Sequence, residues 1–244
     1  MSGSGYVSLS LASQLERSLD MSAHNLANAN TAGFKAMHPL LQASPQGNGE
    51  TTVDFVASAG TYLDLTPGAV VPTGNPLDMA ISGEGWFGIR MEGDQTGYTR
   101  HGKFVMDAEG QIKTANGHSL VDPDGTPLAL PLEIGLEVTI LQDGSIANTD
   151  GEILGQVGVF QVENGDRMTS YGDGIYVPAG EEPPRLLEEG FQIAQGFVEG
   201  SNVQAVLEMT RLIDIQRAYE NAMSIAGEDH GLTRDAIERL GRSG

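Results

Sequence analysis

The chain has 244 residues, 33 acidic against 13 basic, for a formal net charge of −20, with 33 glycines and no cysteine. That length can bury one or two cores; the missing cysteine excludes a disulfide-stapled scaffold and thiolate metal sites, and glycine without a three-residue period excludes collagen. So acidic a surface repels phosphate backbones and anionic headgroups, which excludes a broad nucleic-acid-binding face. The charge is uneven. Residues 1–40 carry two basic and two acidic side chains, residues 41–198 carry six and twenty-three (net −17), and residues 199–244 carry five and eight (net −3). Near-neutral ends flanking an acidic middle point to different surroundings for each. No apolar run approaches the ~20 residues of a membrane-spanning helix, and no basic start leads into an apolar stretch as in a cleavable secretory leader.

Val7, Leu11, Leu15, Leu19, Ala23 and Leu26 recur at helical spacing and predict an amphipathic helix over 7–27. The other face, Ser10, Gln14, Arg17 and Asn28, is polar but hardly charged, and Thr31-Ala32-Gly33 reads as a glycine stop. Residues 36–74 show no period and contain Pro39, Pro45, Gln46-Gly47-Asn48-Gly49, Pro67 and Pro72, so they read as an extended connector. From 75 to 199 the pattern changes to short alternating runs: 77–81, 86–91, 137–141 and 156–162. Asn116-Gly117, Asp124-Gly125, Asp143-Gly144, Asp150-Gly151, Asn164-Gly165 and Asp173-Gly174 punctuate this region as tight turns, which predicts an antiparallel β domain.

A second helical pattern follows Gly200-Ser201-Asn202, where Ser201 or Asn202 is a candidate cap. Ala205, Met209, Leu212, Gln216, Tyr219, Met223 and Ala226 repeat at four and three, widened by Val206 and Ile213, as in a heptad seam. Gly227 reads as its end, and a short last helix with Thr233 as cap and Ile237 and Leu240 apolar completes the chain. An amphipathic helix cannot bury its stripe alone in water, so the two ends are expected to pack on each other and on copies from neighbouring subunits. The fold class is therefore α+β: N- and C-terminal helices packing as an axial coiled-coil-like layer, with a central antiparallel β domain.

Chemical motifs give little. Gly83-Glu84-Gly85-Trp86-Phe87-Gly88 matches a dinucleotide-loop pattern, but a strand-like run follows where a helix is needed, so it reads as a β turn. Asp122-Pro123-Asp124-Gly125 lacks the later positions of a calcium loop and reads as a type I turn. His24, His38, His101, His118 and His230 include no i, i+4 pair, and no nucleophile elbow is present. Trp86-Phe87 could form a sugar platform on an acidic carbohydrate-binding module, but as part of an alternating strand it reads as core. No catalytic, cofactor-binding or metal-binding residue is assigned.

Asp20-Met-Ser-Ala-His24-Asn25-Leu26-Ala-Asn28-Ala-Asn30-Thr-Ala-Gly33-Phe34-Lys35 resembles the N-terminal motif of bacterial flagellar rod and hook proteins. Residues 199–203 with 208–210 and 215–220 resemble the family's C-terminal motif, and 73–81, 85–87 and 98–104 resemble the start of its β domain. Gln14-Leu15-Glu16-Arg17 and the ending 236–242 are more similar to proximal than to distal rod proteins, with the distal type as the alternative. His24 and Trp86 depart from the usual residues without disturbing either pattern.

The resemblance implies a structural, non-enzymatic rod subunit within the periplasm, exported by the flagellar type III machinery without a cleaved signal. It implies partners among proximal and distal rod proteins and its own copies, in a helical drive shaft that transmits torque and encloses the export channel. It implies neither nucleic acid nor direct membrane insertion. Residues 1–35 with 200–244 are expected to form the helical axial core, 36–74 the connector and 75–199 the outward β domain. Axial packing is assigned to Leu11, Leu15, Leu19, Leu26, Asn25, Asn28, Gly33, Phe34, Val203, Met209, Leu212, Ile213, Arg217 and Tyr219.

Overall fold

The structure, a computed structural model, describes residues 3–46, 53–132, 137–180 and 183–242. Helix α1 (Gly3–Ala27) leads to strands β1 (Met37–Gln46), β2 (Val53–Leu63), β3 (Val70–Pro72), β4 (Met79–Gly83) and β5 (Trp86–Arg90). Then come β6 (Thr96–Thr99), β7 (Phe104–Met106), β8 (Ile112–Thr114), β9 (Ser119–Leu120), β10 (Thr139–Ile140), β11 (Ser145–Ala147) and β12 (Ile153–Gln156). The chain continues through β13 (Val159–Gln161), β14 (Thr169–Gly172), β15 (Ile175–Val177), β16 (Arg185–Leu186), β17 (Phe191–Gln195) and β18 (Phe197–Glu199) into α2 (Ala205–Arg242). Helices at both ends and antiparallel strands between them make the protein α+β. No helix among the described residues is long and apolar enough to cross a membrane.

The chain divides into two compact units. A helical unit holds residues 1–27, 37–62 and 204–244; a β-rich unit holds 28–36 and 63–203.

In the β-rich unit the largest sheet runs β14-β15-β6-β5-β9-β8-β7, with β13 joining β5 to β16. Smaller sheets pair β10-β11-β12, β4 with β17, and β3 with β18. The last two pairings bring residues 191–199 back beside 70–83, with Ile193 opposite Ile81 and Val198 opposite Val71. One core packs Leu77, Met79, Ile81, Phe87, Phe104, Ile112, Ile146, Val157 and Ile193 together. Phe87 and Phe104 meet edge to face at 5.5 Å, a geometry that favours aromatic quadrupoles. Residues 77–81, which alternate in sequence, are buried throughout: Leu77, Met79 and Ile81 join the core, and β17 pairs along the edge of β4. The Gly83–Gly88 motif is strand, turn, strand: Gly83 and Gly85 take φ of 104° and 102° between β4 and β5. At Asp122–Gly125 the glycine N–H donates to the Asp122 carbonyl (3.0 Å), closing a turn.

In the helical unit, α1 packs along α2, and β1 pairs with β2. Three expectations need correction. Residues 37–46 and 53–63, read as an unpatterned connector, pair as two strands; Pro39 and Pro45 are tolerated because a two-stranded sheet is all edge. Gly47-Asn48-Gly49 lies outside the described residues. Gly227 does not end α2, which runs unbroken to Arg242, so Thr233 starts no helix. An isolated helical glycine costs only about 1 kcal/mol against alanine, and Gly227 does not take the positive φ of a helix stop. Helix α1 ends at Ala27, six residues before Gly33, so Gly33 is no helix stop either.

Candidate functional site

Two clusters gather the residues assigned from sequence, one in each unit. In the helical unit both helices turn heptad-spaced positions inward. On α1 these are Ala12, Leu15, Leu19, Ser22 and Leu26; on α2 they are Ala205, Glu208, Leu212, Ile215, Tyr219, Ala222 and Ala226. Small residues among them allow close helix approach. Thus Leu15, Leu19, Leu26, Leu212 and Tyr219 are half-buried within the chain itself. Leu11, Met209, Ile213 and Arg217 are exposed, so part of the sequence-derived stripe lies one position off the intrachain seam. Next to it, Val206 is 74 % and Ile213 51 % exposed, and Met209 and Met223 are exposed as well. They sit at helical spacing on α2 and form a second apolar face that the described residues leave largely exposed.

Asn25 is 1 % exposed. Its Nδ2 donates to the Met37 carbonyl (2.8 Å) and its Oδ1 accepts from the Met37 N–H (2.9 Å). The side chain thereby imitates a β partner and fixes the start of β1 to the end of α1. In the same unit Glu208 is buried and accepts from Arg211 (2.8 Å), which also lies 3.4 Å from the His38 ring.

The β-rich unit holds the rest. Asn28 is half-buried and its Oδ1 accepts from the Thr31 hydroxyl (3.1 Å). Gly33 has φ +66°, and a Cβ there would lie 2.2 Å from the Arg100 carbonyl carbon and the His101 nitrogen, so only glycine fits. Its N–H donates to the Glu199 carbonyl (2.8 Å), while Phe34 is buried and its carbonyl accepts from Asn202 N–H (3.3 Å). Val203 is half-buried and donates its N–H to the Ser201 hydroxyl (3.1 Å). Neither Ser201 nor Asn202 caps α2, which starts later, at Ala205. The Asn202 side chain is already engaged: Oδ1 accepts from Ala36 N–H (2.8 Å), and Nδ2 donates to the Asp64 carbonyl (2.8 Å).

Sequence reasoning missed a group of buried charges. Lys35 is 2 % and Glu199 1 % exposed. Lys35 Nζ donates to Glu199 Oε1 (2.7 Å) and to the Thr66 carbonyl (2.9 Å). Arg100 reaches Glu199 Oε2 (3.2 Å) and the carbonyls of Ile81 (3.2 Å) and Gly83 (2.8 Å), and its guanidinium lies over Trp86 at 5.6 Å. Burial lowers the proton affinity of both Lys35 and Arg100, and the Glu199 carboxylate opposes this in each case. Tyr176, whose hydroxyl accepts from Lys35 N–H (3.0 Å), is pushed up to about 12 by burial. Lys35 and Glu199 each sit inside a recognised motif. No periodicity could show that residues 164 apart share one site.

The family models that match are described as flagella basal body rod protein (residues 6–35), flagellar hook protein FlgE/F/G D1 domain (80–153) and flagellar basal body rod FlgEFG protein C-terminal (194–227). The chain is 39 % identical over 241 residues to the flagellar basal-body rod protein FlgF of Mesorhizobium japonicum, covering 99 % of each chain. It is 36 % identical to the FlgF of Caulobacter vibrioides (97 % of each), and 30 % identical to the FlgG of Agrobacterium fabrum, covering 84 % of this chain and 87 % of that one. Asn25, Gly33 and Lys35 fall within the first of these matches and Glu199 within the last.

Proposed function

The chain belongs to the flagellar basal-body rod protein family and is a structural subunit of the rod; we propose that its place is the proximal rod, in a helical assembly with its own copies and other rod proteins. The observation that carries the assembly reading is the exposed apolar face of α2, Val206, Met209 and Ile213, with Leu11 exposed on α1 as well. Fully burying an exposed side chain of this size supplies about 1.5–3 kcal/mol, and these partly exposed ones forgo a part of it. Head-to-tail contacts that do not close into a ring generate a tube, and closely packed helices give the stiffness that torque transmission needs. On this reading the helices make an axial, coiled-coil-like layer, the acidic β-rich unit faces outward, and export by the flagellar type III machinery delivers the chain to the periplasm.

The proximal position is favoured because identity to FlgF, the proximal rod protein of this family, reaches 39 %, against 30 % to the FlgG above. A carbohydrate-binding role finds no support: Trp86 is buried, packed against Tyr176 at 5.5 Å and covered by Arg100. The experiment is Ile213→Asp in the native host, with basal bodies isolated and viewed by electron microscopy. Rods should be absent or truncated while the soluble chain keeps its wild-type melting temperature; complete rods and normal swimming would refute the assembly face.

A further inference from the structure

The chain passes between the two units four times, after residues 27, 36, 62 and 203. On the β-rich side three of these passages are fastened into one ring of backbone and side-chain bonds. Asp64 N–H donates to the Ala36 carbonyl (2.8 Å), Ala36 N–H donates to Asn202 Oδ1 (2.8 Å), and Asn202 Nδ2 donates back to the Asp64 carbonyl (2.8 Å). One layer deeper, Lys35, Glu199 and Arg100 form the buried charge group, with Glu199 Oε1 also accepting from Gly68 N–H (3.0 Å). The Thr66 carbonyl joins the layers, accepting from both Lys35 Nζ (2.9 Å) and Asn202 Nδ2 (3.1 Å).

We propose that Lys35, Arg100, Glu199 and Asn202 form an interlock that makes docking of residues 28–36 conditional on arrival of residues 199–203. Three features carry it. Among the described residues, the main hydrophobic cluster of the β-rich unit runs from Leu77 to Ile193 and includes no residue of either segment, so it can form before the interlock closes. Segment 28–36 is tied to the far segment at four successive residues: Gly33 N–H bonds to the Glu199 carbonyl, the Phe34 carbonyl to Asn202, Lys35 to Glu199, and Ala36 to Asn202, beside further bonds to Tyr176, Thr66 and Asp64. The carboxylate that bridges Lys35 and Arg100 comes from the C-terminal segment; without Glu199 these two like charges in a dry site keep only the lesser attraction of Asp64 for Lys35 and of Glu84 for Arg100. Burying an unmatched charge is among the costliest things a fold can do. A partial chain therefore leaves its N-terminal segment undocked, and both helix-bearing ends are secured in a single closing event. The inference uses the geometry of the β-rich unit alone and stands whether or not the bare face of α2 is the assembly face.

The test is peptide-resolved hydrogen exchange on the full-length monomer. Glu199→Gln should speed exchange in peptides covering 28–36 by about tenfold or more while peptides covering 86–90 keep wild-type protection. Adding Lys35→Met to Glu199→Gln removes the second unmatched cation and should restore much of the lost protection. Asn202→Ala, at a half-buried position, should give a smaller rise confined to 33–36 and 63–66. Wild-type protection of 28–36 in Glu199→Gln would overturn the proposal, as would an equal rise across 86–90, which would mark general destabilisation. Should Glu199→Gln fail to fold, Asn202→Ala decides by the same two criteria.

Discussion

In the β-rich unit Phe87, Ile89, Ile112 and Ile146 are wholly hidden and even its charges, Lys35 and Glu199, are buried with partners. In the helical unit Val206, Leu207, Met209, Ile213 and Ile225 of α2 and Leu9 and Leu11 of α1 stand in solvent. The first unit has closed a core of its own, although Val105, Ile153 and Tyr171 among others stay exposed on it. The second has covered one face of each helix and left another for something else to cover. The exposed helix faces lie at the near-neutral ends, where close packing of like copies meets little repulsion.

If the β-rich unit is self-sufficient, its stability should fall sharply on core truncation. Phe87→Ala, which removes a ring from the Phe104 contact, should cost about 3–5 kcal/mol, read as a lowered midpoint in urea with loss of β signal. Gly33→Ala should cost about 3 kcal/mol, since a positive φ and a backbone collision combine; a wild-type midpoint would contradict the close approach to Arg100. The Tyr176 hydroxyl offers a pH test. Its affinity for the proton is higher folded than unfolded, so its contribution is intact below about pH 10 and is lost as pH rises toward about 12. Comparing wild type with Tyr176→Phe across that window should show an extra alkaline loss of about 2–3 kcal/mol in the wild type.

Two further substitutions probe the helical unit. Asn25→Ala leaves the Met37 N–H and carbonyl without their partner and should cost about 1–3 kcal/mol, with faster exchange at the start of β1. The smallest change in stability belongs to Ile213→Asp, within about 0.5 kcal/mol for an exposed site. Concentration-dependent growth of helical content should nevertheless disappear. A large loss of monomer stability in this variant would mean that the face is already used within the chain.

Much of this was legible beforehand. The leucine spacing of α1 and the four-three repeat of α2 marked both helices, and the Asn-Gly and Asp-Gly pairs marked tight turns. Asp173 and Gly174 indeed both adopt positive φ between β14 and β15. Asn25, Gly33 and Phe34 were singled out as motif letters; within the chain they serve as a clamp on β1, a contact too tight for any Cβ, and a buried ring. The pairing of β1 with β2 was not legible, because strands without alternation or aromatic density carry no period-two signal. The unbroken course of α2 through Gly227 was missed because a glycine stop is judged locally, whereas a helix of this length is held by packing elsewhere along it.

By itself, then, the sequence determined what is local and periodic: helix at both ends, antiparallel β between them, a neutral–acidic–neutral charge profile, and the motifs that place the chain in its family. These follow from spacing and turn chemistry over a few residues. Only the tertiary structure decided which face of each helix is covered, and that Lys35, Arg100 and Glu199 meet in one dry site. Burial and charge pairing depend on which distant segments come together, and 164 residues separate the lysine from its carboxylate.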